Sequence, residues 1–149
     1  MKSTKQIVRS LIVLLGMAAP PTWGALSELG GEFPLLGDVG GHQQNPQVAL
    51  SNSNGFVVWQ NMAANGRMER VMLQRLGSDM TGVGVAVAVS AAEGRWNELN
   101  PRVALLPGGG AVVTWIGGAR SATDIYARFV NSNGSFITPD ITVNSNRAG

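Results

Sequence analysis

The chain has 149 residues, no cysteine, a single histidine and a formal net charge of +2. Disulfide staples and cysteine-ligated metals are therefore excluded, and neither a Cys–His pair nor a His-rich metal site can be built within one chain. Glycine is abundant (20 residues), charged residues make up only 13%, and the apolar residues come in short Val-rich runs, which points to an all-β protein with many turns.

In chain order, the first segment reads as an export signal. Lys2, Lys5 and Arg9 precede an uncharged apolar run, Leu11 to Ala19, which Pro20, Pro21, Thr22, Trp23 and Gly24 break. That is the layout of a signal-peptide helix over residues 1–24, with cleavage expected after Gly24 or Ala25. The apolar run is shorter than the roughly 20 residues a spanning helix needs, so the mature form is expected to be free of the membrane. The destination is the periplasm, the cell surface or the medium. Removing the three basic residues leaves eight basic against nine acidic, a charge of −1. No basic cluster remains, so no nucleic-acid partner is expected. Residues 25–42 read as a linker, in which Glu32-Phe33-Pro34-Leu35-Leu36 stands as the possible last strand of an incomplete preceding unit.

The remainder is written twice. Asn45-Pro46-Gln47-Val48-Ala49-Leu50 returns as Asn100-Pro101-Arg102-Val103-Ala104-Leu105, and Gly55-Phe56-Val57-Val58-Trp59 as Gly110-Ala111-Val112-Val113-Thr114-Trp115. Val71–Leu76 aligns with Ile125–Val130, and the copies close alike at Val89-Ser90 and Val143-Asn144. The offsets stay between 54 and 56 residues, which defines repeat 1 over 43–92 and repeat 2 over 93–149.

Each repeat predicts four strands. The first is Gln47–Leu50 or Arg102–Leu106, the second Phe56–Gln60 or Ala111–Ile116. The third is Arg70–Leu76 or Asp124–Val130, the fourth Val85–Ser90 or Asp140–Asn144. Ser51–Gly55, Pro107–Gly110 and Asn131–Gly134 carry the Gly, Asn and Pro that tight turns require. Asn61–Glu69 and Gly117–Thr123 are polar and are expected as exposed loops.

The second strand is apolar on both sides. Val57 and Trp59 point one way, Phe56 and Val58 the other. A sheet with one wet face would alternate apolar and polar residues. The expectation is therefore two four-stranded antiparallel sheets stacked as β-propeller-like blades, with a two-sheet sandwich as the alternative. The run Pro-x-Val-Ala, Gly-x-Val-Val-(x)-Trp, Ile125-Tyr126-Ala127-Arg128-Phe129 and a closing Val-Asn resembles a tandem repeat of bacterial secreted and surface proteins. The resemblance spans about Gln43 to Asn146 and implies propeller-like arrays, with no defined activity. Repeat 1 departs from the pattern at Met72 and Leu73, where repeat 2 has Tyr126 and Ala127. Propellers carry about 4–8 blades, so two units imply either a piece of a longer array or a ring completed by copies of the chain.

Chemistry is sparse. His42 reads as a solvated residue ahead of the first strand. No nucleophile elbow, phosphate loop or dinucleotide fingerprint occurs. Glu69, Asp79, Glu93, Glu98, Asp124 and Asp140 are scattered singly and read as solvated acids, without the spacing of a calcium loop. Ser51–Trp59 has the flavour of the sialidase Asp box but lacks its Asp, and its Trp falls one residue late. Trp59 and Trp115 read as core. Trp96 lies in Gly94-Arg95-Trp96-Asn97-Glu98, a loop composition suited to stacking on and hydrogen bonding a sugar ring. Arg95, Trp96, Asn97 and Glu98 are therefore the candidate ligand-binding residues. The function expected is a secreted, non-catalytic β-repeat module for binding or display, with a protein or glycan ligand and no cofactor or metal. The alternative is a propeller lectin completed by oligomerisation. A hydrolase would need two carboxylates about 5–10 Å apart in a cleft.

Overall fold

The structure is a computed structural model that describes residues 35–36, 39–62, 66, 68–91, 96–119 and 122–144. The expected signal-peptide segment 1–24, Glu32–Pro34 of the expected N-terminal strand and Arg95 lie outside the described residues.

Among the described residues eight strands form: β1 His42–Leu50, β2 Gly55–Met62, β3 Glu69–Leu76, β4 Gly82–Ala88, β5 Leu99–Leu105, β6 Ala111–Ala119, β7 Ala122–Val130 and β8 Ile141–Thr142. They make two four-stranded antiparallel sheets, in the orders β1-β2-β3-β4 and β5-β6-β7-β8. The described residues contain no helix. Within each sheet, sequence-adjacent strands pair, as tight Gly- and Asn-bearing turns favour.

The two sheets share their register. Gln47 faces Val58 as Arg102 faces Thr114. Trp59 faces Met72 as Trp115 faces Tyr126. Met72 faces Ala88 as Tyr126 faces Thr142. The repeated Asn-Pro pairs sit at register shifts in β1 and β5. There Asn45 and Asn100 take φ of 50° and 52°, a left-handed conformation that asparagine tolerates better than most residues. Gln60, buried between the sheets, joins the two places. Its Oε1 accepts from Asn45 Nδ2 at 2.6 Å and from the Asn100 N–H at 2.9 Å, and its Nε2 donates to Glu69 Oε2 at 3.1 Å.

Among the described residues, two apolar clusters hold the sheets. The larger lies between the sheets: Phe56, Val58, Val71, Leu73 and Val89 of the first meet Ala111, Val113, Trp115 and Val130 of the second. The smaller lies on the other side of the first sheet, where Val57, Trp59 and Leu76 are covered by Leu35, Leu36 and Val39. β2 is consequently buried from Gly55 to Gln60, with apolar cover on both sides. β6 instead alternates buried and half-buried residues, because only its Val113–Trp115 side meets another sheet.

The corresponding faces therefore point the same way. The face bearing Trp115 is turned onto the first sheet, and the face bearing Trp59 is turned away from the second. A sandwich closed by like faces would have put both tryptophans in one core.

Several element bounds differ from the sequence reading. His42 opens β1 instead of preceding it, since pairing with β2 continues across the bulge to His42 and Met62. The expected loop Gly117–Thr123 is largely hairpin: Gly118 pairs with Thr123 and Ala119 with Ala122. Gly118 permits this at φ +109°, where an added Cβ would stand 2.5 Å from the Ala122 carbonyl oxygen. β4 starts at Gly82 rather than Val85, its register with β3 shifting between Leu73 and Arg75. β8 is only Ile141–Thr142.

Candidate functional site

The segment that leads from the first sheet to β5 is pinned to the start of β3. Asn97 Oδ1 accepts the Glu69 N–H at 3.4 Å, and the Glu98 N–H donates to the Glu69 carbonyl at 3.0 Å. This places Glu98 inward, only 4% exposed. Its Oε2 accepts the Val71 N–H at 2.8 Å, and Ser90 also hydrogen bonds to it. Trp96, two residues earlier, remains 50% exposed, and Asn97 is exposed.

Trp96 and Glu98 line one cleft of about 140 Å³ with Ser90, Trp115, Tyr126 and Asp140. Trp115 and Tyr126 are opposed across β6 and β7, and their rings stack at 5.8 Å with 19° between planes. Gly117 and Gly118 complete the wall. A Cβ on Gly117 would lie 3.3 Å from the Tyr126 ring, so the missing side chain keeps that wall flat.

The acids are held by named partners. Asp140 accepts the Ala91 N–H at 3.0 and 3.2 Å and lies 3.7 Å from Arg128 Nη1. Arg128 in turn donates to the Val89 carbonyl at 2.6 Å and the Thr138 carbonyl at 3.0 Å, and its guanidinium sits 3.9 Å over the Phe136 ring. Burial raises the Glu98 pKa above the ordinary carboxylate range, because desolvation disfavours the charged form. The hydrogen bonds from Val71 and Ser90 and the charge of Arg70 oppose that rise, and the charge of Asp140 adds to it.

Of the four expected ligand-binding residues, Trp96 and Glu98 share the cleft. Asn97 is an anchor to the β3 backbone, and Arg95 lies outside the described residues. The reading of Glu98 and Asp140 as isolated solvated acids is corrected: the fold places them on one cleft, and Glu98 is buried. Tyr126 and Ser90 were missed. The segments around Tyr126 and Ser90 mark only the repeat, and the two residues lie 36 positions apart. His42 stands at the exposed start of β1. Among the described residues, no group of three His, Asp or Glu side chains could hold a metal ion, and no helix is long and apolar enough to cross a membrane.

Comparison with family models, with curated proteins and with solved structures returned no match.

Proposed function

We propose that the chain is an exported, non-catalytic β-repeat module in which the two sheets act as neighbouring propeller-like blades and a ligand is bound in the cleft at their junction. The observation that carries this reading is the half-exposed Trp96 beside Trp115, Tyr126, Glu98 and Asp140 around a ring-sized space. Ligand sites combine apolar and aromatic walls with a few fixed polar groups, and this cleft has that composition. At about 140 Å³ it takes one ring or one side chain of a larger partner. A glycan is the favoured ligand class. Trp96 offers an exposed face for stacking, and Glu98 and Asp140 keep lone pairs for hydroxyl donors beyond the bonds they already accept.

The shared registers and the common direction of the Trp faces support the blade reading. The engagement of both carboxylates with backbone N–H groups favours binding over hydrolysis.

A glycan array probed with the full chain is the direct test. Binding is expected, and Trp96→Ala should weaken it by about two- to tenfold, the scale of a lost aromatic stack, while stability shifts by less than about 0.5 kcal/mol. Gly117→Leu should also block the cleft. Retained binding in both variants, or turnover of a chromogenic glycoside that Glu98→Gln abolishes, would overturn the reading.

A further inference from the structure

Among the described residues, five exposed apolar side chains form two faces on opposite sides of the sheet pair, and the buried interface between the sheets shows what each would meet. On the free side of the first sheet, Val48 and Leu50 are 55% and 46% exposed. Their counterparts in the second sheet, Val103 and Leu105, pack into the cluster between the sheets. Val48 and Leu50 line an apolar groove of about 380 Å³ with Val57, Leu76 and Leu35. Leu35, Leu36 and Val39 therefore shield Trp59 but leave this part of the face open.

The free side of the second sheet shows the converse. Ile125, Ile141 and Val143 are 45%, 38% and 55% exposed. Their counterparts in the first sheet are Val71, Val87 and Val89. Val71 and Val89 are buried against the second sheet, and Val87 is partly buried there. Both faces thus carry the residue types of the two halves of one interface that already exists in the molecule. Patches of this kind mark association sites.

We infer that the chain associates with a second copy of itself head to tail: the Ile125–Ile141–Val143 face of one copy seats on the Val48–Leu50 face of the next, continuing the internal packing of β6 on β2. Such a contact is heterologous. It leaves one free face at each end and propagates into a ring or a filament. The inference does not depend on what the cleft binds.

Sedimentation velocity of the full chain over a concentration series tests it, with two surface variants. Ile141→Asp blocks one face and Val48→Asp the other; both positions are exposed, and matched circular dichroism and thermal unfolding confirm folding. The unsubstituted chain is expected to show concentration-dependent species above the monomer. Each variant alone should sediment as a monomer. Their equimolar mixture should give a one-to-one dimer that grows no further, because each variant keeps the face the other lacks. A monomeric unsubstituted chain at every concentration would overturn the inference. So would association of Val48→Asp with itself, which would mean like faces pairing, or a mixture that stays monomeric.

Discussion

At the scale of single residues, Asn45 and Asn100 connect sequence to backbone most plainly. Both occupy left-handed φ at a register shift, so the repeated Asn-Pro is a backbone requirement that recurs with the unit. Asn100→Val is expected to cost about 1–3 kcal/mol in urea unfolding, the range for a strained left-handed residue, whereas Asn100→Gly should cost far less. Gln60 supports the same place from the first sheet. Gln60→Leu leaves the Asn100 N–H without its acceptor, a loss of about 1–3 kcal/mol. Glu98 adds a pH dependence. Its folded pKa is raised, so its contribution to stability is fully present below the unfolded carboxylate value. That contribution is lost as pH rises through the higher folded value. Unfolding free energy measured from pH 4 upward should therefore fall across that window in the native chain. Glu98→Gln, which keeps an oxygen to accept the Val71 N–H, should remove that part of the fall.

Individual strands were legible because their turns were. Asn-Ser-Asn-Gly and Pro-Gly-Gly-Gly fix where chains reverse, and all eight expected strand positions carry strands. The fully buried β2 was also legible, since Phe56-Val57-Val58-Trp59 has no polar side to give to water. Two things were not. The Gly117–Thr123 segment looks polar and loop-like, and only the left-handed Gly118 reveals the hairpin. The cleft was half-legible: Trp96 stood out in its loop, but the burial of Glu98 depends on β3 and the placement of Asp140 on its bond from Ala91, 49 residues away. Pairings at that separation leave no local pattern. β2 and β6 each bury their tryptophan. Trp59→Ala and Trp115→Ala both empty a buried site and should each cost about 3–5 kcal/mol in denaturant unfolding.

For the molecule as a whole, the direction of the two sheets is decisive. Each presents its tryptophan side the same way, so the second sheet packs onto the first as Leu35, Leu36 and Val39 pack onto Trp59. That arrangement places the Trp115–Tyr126 stack at a sheet junction and leaves unlike faces at the two ends. Nuclear Overhauser contacts from the two indole rings test it most directly. The Trp115 ring should contact methyl groups of the first sheet, among them Val58, Val71 or Val89, and the Trp59 ring should contact Leu35, Leu36 or Val39. Contacts from both indoles to one shared set of methyls, or from one indole to the other, would contradict it.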